Sequence, residues 1–334
     1  MAAQAPSRQT YPTSRWANVA QQQGALAALL VVIAFGVVRY GANFRSGYNI
    51  WELLRNNSYY ALIALGMTFV IMTGGIDLSV GAVVALASVT AARVSSHGLY
   101  ATTLAGVGVG LAVGLVNGVI IARYKIQPFI VTLAMLLFCR GAALNLSHNA
   151  NVSVDFASGF VQLGQRNLGK MPLPVAVTIV AYIVGSITLN LTRFGRHVLA
   201  VGGNDEAARL AGLPVARIIV SVYALSGALA GLAGAILGAL AFSGSPNYAI
   251  GWELSAIAAV VVGGTLLTGG KGSVGTTLVG VLLLAFLFNA LNFERGRGTF
   301  DINIYWENVI RGLFLLVVVL LQRRLASRQL GGRG

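Results

Sequence analysis

Residues 218–252 read IIVSVYALSGALAGLAGAILGALAFSGSPNYAIGW, a run of thirty-five residues without Asp, Glu, Lys or Arg. About 20 apolar residues are enough for an α-helix to cross the ~30 Å hydrocarbon core of a membrane. Five further runs without these residues are long enough to do so: 16–38, 56–76, 94–122, 171–192 and 272–293. The chain is therefore predicted to be an all-α polytopic membrane protein.

The composition agrees with this prediction. Of 334 residues, 56% are hydrophobic and 10% are charged, whereas soluble domains carry about 25% charged residues. The net charge of +14 does not indicate a nucleic-acid partner, because the basic residues stand singly at the ends of apolar segments. The one cysteine, Cys139, lies in an apolar run, so an internal disulfide is excluded.

The apolar pattern predicts ten spans in a single transmembrane domain, residues 23–322, between a polar tail at 1–22 and a basic tail at 323–334. The predicted spans are 23–39, 51–73, 77–93, 100–122, 128–147, 172–192, 217–242, 253–268, 273–293 and 304–322. The first is too long for a signal-peptide core and is expected to stay uncleaved. With both termini in the cytoplasm, thirteen Lys and Arg lie inside and nine outside, the bias that positive-inside orientation favours.

Glycines recur at four-residue spacing in two of the predicted spans. They are Gly110, Gly114 and Gly118 in one span, and Gly227 with Gly231 and Gly234 with Gly238 in the other. Small residues at this spacing let helix backbones approach closely in a membrane. The pattern predicts tight helix packing rather than a direct role in a pore.

Two short segments resemble each other, TGGIDLSVG at 73–81 and TGGKGSVG at 268–275. Each reads as a glycine-broken turn, then a Ser or Asp N-cap, then a new apolar helix. Glycine-interrupted segments in corresponding halves indicate a transport site in many transporters. Two similar tight turns without such a role explain the pattern equally well.

Among the charged residues within or beside predicted spans, three are candidates for a function, because charge at membrane depth is costly and usually functional. Asp77 follows the first glycine turn and is expected to cap the next helix, unless it acts in transport. Arg140 lies well inside its span and either snorkels to the interface or pairs with an acid on another helix. Glu253 fits a first-turn acid favoured by the helix dipole. Glu307 and Arg311 form a favourable i,i+4 pair of structural character.

A polar, helix-forming segment, GRHVLAVGGNDEAARLAG at 195–212, separates two long apolar runs. The Gly-Gly-Asn at 202–204 predicts a turn, and Asn204 predicts the cap of a two-turn helix that Gly212 and Pro214 end. Such a helix suits a groove on a partner protein. A plain surface connector is an equally good interpretation from local physics.

Catalysis is not predicted. None of the three histidines lies in a span, and no Gly-x-Ser-x-Gly occurs. The segment 264–272 fails as a phosphate loop, because the pattern needs Gly where Thr265 stands and Ser or Thr where Gly272 stands. We therefore predict no catalytic residue, metal site or cofactor. An ATPase, if one drives transport, must be another subunit.

Three stretches resemble one family. They are 64–81, 193–212 and 253–272, and QPFIVTL at 127–133 and Arg140-Gly141 fit as well. Over about residues 50–320, in order and at similar spacing, the chain resembles the permease subunits of bacterial ABC importers of the ribose, xylose, arabinose and galactose type. The resemblance implies a type II ABC-importer-like permease of the bacterial inner membrane that works by alternating access.

The resemblance also implies partners. They are a second permease copy or a paralogous permease, a periplasmic sugar-binding protein, and a cytoplasmic ABC ATPase that docks on the loop between spans six and seven, residues 193–216. Within that loop it implicates Gly195, Arg196, Gly202, Asn204, Glu206, Ala207, Ala208, Arg209 and Gly212. For the translocation path or a broken-helix motif it implicates Gly74, Gly75, Asp77, Ser79, Gly81, Arg140 and Glu253.

Three other functions compete with a monosaccharide importer. A branched-chain amino acid ABC permease shares the broader fold. A secondary transporter or channel working alone is disfavoured, because the spans hold no series of acids fit for a proton relay. A membrane enzyme is disfavoured by the missing catalytic residues.

Overall fold

The computed structural model describes residues 15–297 and the isolated positions 306, 309, 310, 312, 313 and 316. Between residues 15 and 297 the chain forms twelve α-helices. They are α1 Arg15–Tyr40, α2 Gly47–Met72, α3 Val80–Arg93, α4 Leu99–Tyr124, α5 Pro128–Leu146, α6 Gln162–Gln165, α7 Leu173–Leu191, α8 Arg193–Gly203, α9 Asp205–Leu210, α10 Val215–Leu240, α11 Trp252–Val262 and α12 Val274–Arg297.

Four short strands, which the sequence did not predict, lie in the connections. Strand β1 (Val152–Ser153) pairs antiparallel with β4 (Ser243–Gly244), with Val152 opposite Gly244. Strand β2 (Asn167–Leu168) pairs antiparallel with β3 (Met171–Pro172). The first pair joins the loop after α5 to the loop after α10.

Nine of the ten predicted spans coincide with described helices whose ends are shifted. In the described part of the chain, five helices are long and apolar enough to cross a membrane: α4, α5, α7, α10 and α12. Helix α1 begins at Arg15, eight residues before the predicted span. The span predicted at 253–268 is wrong at its end, because α11 stops at Val262 and Gly264 takes a positive φ of 93°. Most of the span predicted at 304–322, and Glu307 and Arg311, lie outside the described residues.

Helices α4 and α10 pack backbone to backbone, as the glycine spacing predicts. A Cβ added at Gly118 would lie 2.7 Å from Val220 Cα, and one added at Gly227 would lie 2.9 Å from Gly114 Cα. Gly234 faces α3 instead, where a Cβ would lie 2.5 Å from the Val84 carbonyl oxygen. The prediction is wrong for Gly238, whose nearest neighbour is at an ordinary 3.6 Å.

We expect Gly114→Ala to destabilise the protein by about 3 kcal/mol or more, at or above the upper end of ordinary core overpacking. Its new methyl group would lie 3.1 Å from Ala224 Cα and overlap the Tyr223 carbonyl group, and backbone cannot move aside as a side chain can. The matched control is Gly108→Ala on the same helix, where a Cβ meets nothing within 4 Å. Thermal unfolding of the purified proteins measures both. Equal melting temperatures would show that the two helices are not held in this contact.

The C-terminal half of α2 is the centre of the molecule. Every residue from Ala61 to Met72 is buried, and α2 packs against α7, α8, α10, α11 and α12. The turn that follows Met72 is therefore placed among five helices. That turn and the start of α3 carry five of the seven residues implicated in the translocation path: Gly74, Gly75, Asp77, Ser79 and Gly81.

Candidate functional site

Asp77 lies in the turn between α2 and α3 and is 1% exposed. Its Oδ1 accepts hydrogen bonds from the backbone N–H of Ser79, at 3.0 Å, and from the Ser79 hydroxyl, at 2.6 Å. This local arrangement orders the start of α3, as the predicted capping role requires. The N-cap position itself is Ser79, whose side chain makes no cap hydrogen bond.

The same carboxylate also joins three helices, which the sequence did not predict. The Ser226 hydroxyl on α10 donates to Asp77 Oδ2 at 3.0 Å. The Asn117 side-chain amide on α4 donates to Ser79 Oγ at 3.0 Å, and both Asn117 and Ser226 are buried. Nothing in the sequence distinguished these two from other small polar residues in apolar helices. Asp77 is thus a buried hub between α3, α4 and α10.

The two look-alike turns touch each other. Gly74 and Gly269 both take positive φ angles, 80° and 84°. The Gly270 N–H donates to the Met72 carbonyl oxygen at 2.9 Å. The hydroxyls of Thr68 and Thr277 lie 2.9 Å apart and join α2 to α12 nearby. The sequence similarity therefore corresponds to two turns packed side by side.

The end of α8 packs into the same place. A Cβ added at Gly269 would lie 2.8 Å from both the Gly202 carbonyl oxygen and the Gly74 nitrogen. A Cβ added at Gly270 would lie 2.9 Å from Gly203 Cα. Five glycines, Gly74, Gly202, Gly203, Gly269 and Gly270, thus meet without side chains between them. We call them the glycine junction.

Residues 193–203 form a helix, α8, whereas the predicted two-turn helix begins only after Asn204. Thr192 caps it by accepting the Gly195 N–H at 3.2 Å. A Cβ on Gly195 would lie 2.5 Å from Leu189 Cα, so only glycine fits this tight entry. The turn predicted at 202–204 is wrong for both glycines, which continue the helix, and the chain leaves it at Asn204. Burial of Val198 and Val201 in the core stabilises α8.

The helix predicted after Asn204 is confirmed as α9. Asn204 Oδ1 accepts the Ala207 N–H at 2.8 Å, the expected cap. Gly212 ends the segment with a φ of 80°, and the Leu213 N–H returns to the Ala208 carbonyl oxygen at 3.0 Å. This is the hydrogen-bond pattern of a glycine C-cap.

Most of α9 faces away from the bundle. Ala208 is buried, while Glu206, Arg209 and Leu210 are exposed, Leu210 by 86%. Arg209 lies 3.6 Å from Asp205 in an i,i+4 ion pair, and Arg196 on α8 is also exposed. The surface of α8 and α9 therefore combines charges of both signs with an apolar side chain open to contact.

The remaining predicted residues, Gly81, Arg140 and Glu253, gather along the loop 241–251. A Cβ on Gly81 would lie 2.5 Å from Glu253 Oε2, and Glu253 stands in the first turn of α11 as predicted. Arg140 donates to the carbonyl oxygens of Pro246 and of Tyr248, the second at 2.9 Å. The sequence did not predict these contacts with backbone carbonyls. Arg140 also interacts electrostatically with the carboxylate of Glu253 on α11, so the expected pairing with an acid stays a prediction beside them.

Comparison with known proteins places this arrangement among transport subunits. Residues 49–319 match the model of the family described as branched-chain amino acid transport system / permease component. The chain is 38% identical to the ribose import permease protein RbsC of Escherichia coli K12 over 97% of this chain and 99% of that protein. It is 38% identical to RbsC of Bacillus subtilis, over 92% and 94%. It is 37% identical to the L-arabinose transport system permease protein AraH of E. coli K12, over 90% of both. No solved structure matches the chain.

Proposed function

This chain belongs to the family of branched-chain amino acid transport system permease components, and from that premise we propose that it is the membrane-spanning subunit of an ATP-driven monosaccharide importer. The matches that favour a sugar over an amino acid are the relatives named for ribose and L-arabinose, which align over nine-tenths or more of this chain. Among the sugar permeases, we propose ribose or L-arabinose as the first substrates to test.

We further propose the ten-span arrangement in the bacterial inner membrane, with both termini cytoplasmic and a single domain over 23–322. The distribution of Lys and Arg supports it. In this orientation the segment 193–216, which holds α8 and α9, faces the cytoplasm. The loops that join α1 to α2 and that follow α12 face outward.

The observation that carries the mechanism is the glycine junction. The exposed surface of α8 and α9 is suited to a groove on an ABC ATPase subunit, and the end of α8 touches the turns after α2 and α11 without intervening side chains. Closely packed backbone has low compressibility and transmits movement. A movement of α8 would therefore displace both turns together. ATP hydrolysis belongs to that ATPase, a second permease copy or paralogue completes the path, and a periplasmic sugar-binding protein delivers the substrate.

The turn 73–81 is the proposed moving part of the path. It holds Gly74, Gly75, Asp77, Ser79 and Gly81, and it lies between the glycine junction and the loop 241–251 that Arg140 and Glu253 contact. This short, glycine-rich turn therefore connects the ATPase-facing glycine junction with the loop 241–251.

Uptake by the complete importer tests the function. Cells that express this permease with an ABC ATPase subunit and a periplasmic sugar-binding protein of the same organism should accumulate labelled D-ribose or L-arabinose, and cells lacking the permease should not. Accumulation of L-leucine instead would favour the branched-chain amino acid alternative. Sugar uptake without any ATPase would favour the secondary transporter.

Charge reversal on α9 should uncouple ATP hydrolysis from uptake. We expect the Glu206→Arg, Arg209→Glu double variant to lose uptake about tenfold while reaching normal membrane abundance. Both side chains are exposed, and the Asp205–Arg209 pair that it breaks contributes only about 0.2–0.5 kcal/mol. Sugar uptake and ATPase activity in proteoliposomes measure the uncoupling.

Lys125→Glu provides the matched control, because Lys125 is exposed and lies on the same proposed side, in the turn after α4. It should retain uptake. Full uptake by the α9 double variant would contradict this ATPase contact and would show that α8 and α9 are a surface connector.

A further inference from the structure

We propose that the pocket formed by the end of α1, the start of α2 and the end of α12 binds a monosaccharide ring on the outer side of the permease. This inference rests on the proposed function for its sugar and its orientation. The pocket has a volume of ≈ 490 Å³, within the ~300–1,000 Å³ typical of small-molecule sites. We call it the outer pocket.

Side-chain amides dominate its polar lining. Asn49 and Asn289 are hydrogen-bonded to each other in both directions, at 3.2 and 3.1 Å, and this pair fixes α2 against α12. Asn43 and Asn292 also line the pocket, and the structure shows no hydrogen bond from either side chain to another described residue. An amide both donates and accepts, as a sugar hydroxyl does. The two open amides therefore match vicinal hydroxyls.

Two aromatic rings supply an apolar wall. The rings of Tyr40 and Phe293 line the pocket with centroids 5.3 Å apart and planes 32° apart. The Tyr40 hydroxyl donates to Glu294 Oε2 at 3.0 Å, and Arg39 holds the other carboxylate oxygen at 3.0 Å. These bonds fix the Tyr40 ring in place. A fixed aromatic face beside open amides suits a pyranose or furanose, which has both C–H faces and hydroxyl edges.

The charge of the lining argues against an amino acid. Among the described lining residues Arg297 is the only charged one, and its guanidinium lies 5.6 Å from the centre of the Tyr40 ring. An amino acid carries an ammonium group, and no carboxylate among the described lining residues can pair with it. Removing an unpaired charge from water is costly. A neutral polyol has no such cost.

The outer pocket and the glycine junction lie at opposite ends of the same two helices. Helix α2 begins two residues before Asn49 and ends at Met72, which contacts the junction. Helix α12 begins at Val274, after the second glycine turn, and ends at Arg297 in the pocket. A 26-residue helix spans about 39 Å. One antiparallel helix pair thus connects the proposed sugar site with the proposed ATPase-facing junction.

Thiol labelling from outside tests the site directly. In intact cells expressing the full importer, Gly296→Cys should react with a membrane-impermeant maleimide, because Gly296 lines the pocket and a Cβ added there meets nothing within 4 Å. Millimolar D-ribose or L-arabinose should slow the reaction roughly threefold, as occupancy at twice Kd predicts. Millimolar L-leucine should not. The single natural cysteine, Cys139, is buried and contributes little background. Tyr48→Cys is the matched control, because Tyr48 is 80% exposed at the start of α2 and does not line the pocket.

A second substitution links protection to the pocket. Asn43→Leu in the Gly296→Cys background should require about tenfold more sugar for the same protection, since one of two open amides is lost. The proposal is overturned if Gly296→Cys reacts equally fast with and without sugar, if Tyr48→Cys is protected equally, or if neither site reacts from outside. Sugar uptake by the unmodified importer is scored separately, so loss of protection with intact uptake rejects the pocket and leaves the importer standing.

Discussion

A single methyl group at position 202 should abolish uptake. Gly202→Ala places a Cβ 2.6 Å from the Gly270 nitrogen and into the Met72 carbonyl oxygen. Both are backbone atoms that hydrogen-bond to each other at 2.9 Å. The helix end must therefore move out of the glycine junction, or that bond must break. We expect sugar uptake to fall more than tenfold.

The neighbouring glycine is a matched control. A Cβ added at Gly203 meets nothing within 4 Å, and alanine favours helix by up to ~1 kcal/mol over glycine. Gly203→Ala should keep uptake and melting temperature near those of the unmodified protein. Membrane abundance is measured for both variants. Uptake by Gly202→Ala equal to that by Gly203→Ala would contradict the junction as the link from α8 to the turns.

Removal of the Asp77 carboxylate should destabilise the fold. Asp77→Ala leaves three donors without an acceptor: the Ser79 N–H, the Ser79 hydroxyl and the Ser226 hydroxyl. Each buried donor without a partner costs about 1–3 kcal/mol, so we expect a loss of roughly 3 kcal/mol or more. Membrane abundance and the melting temperature of the purified protein measure it.

Two further variants separate folding from transport at this position. Asp77→Asn keeps an oxygen for Ser79 and presents an amide to Ser226, so we expect nearly normal abundance. Its neutral hydrogen bonds are weaker than charge-assisted ones, and uptake per molecule should fall several-fold as the turn loosens against α10. Ser226→Ala removes one of these hydrogen bonds, so its melting temperature should lie between those of Asp77→Asn and Asp77→Ala. If Asp77→Asn lost abundance and uptake equally, Asp77 would serve folding alone.

The sequence was informative wherever the cause was local. Asn204 predicts the cap of α9 because a side-chain oxygen two or three residues before an amide can reach it without help from the rest of the chain. Gly212 predicts the end of that helix for the same reason. The four-residue glycine spacing predicts that these helices pack closely, since one helix face is defined by its own period, but only the structure shows that α4 and α10 are each other's partners. The failed phosphate loop excludes a nucleotide site of that type by residue identity alone.

The sequence was uninformative wherever two distant segments had to be brought together. Arg140 contacts the carbonyl oxygens of Pro246 and Tyr248, and carbonyls are present at every residue, so no pattern marks them. Ser226 and Asn117 bind the Asp77 turn with side chains that equally suit helix packing. Gly202 and Gly203 resemble a turn locally, yet both belong to the end of helix α8, and Gly202 faces the two glycine turns.

The sequence was enough to identify an all-α polytopic membrane protein and to predict the capped helix α9 and the two similar glycine turns. Hydrophobic runs and helix caps act over a few neighbouring residues, so each can be recognised without the rest of the chain. The tertiary structure alone decided that these turns and the end of α8 meet in one glycine junction, and that four asparagines line one pocket. Such meetings depend on how α2, α8, α11 and α12 pack, and packing between residues hundreds of positions apart leaves no local signature in a single chain.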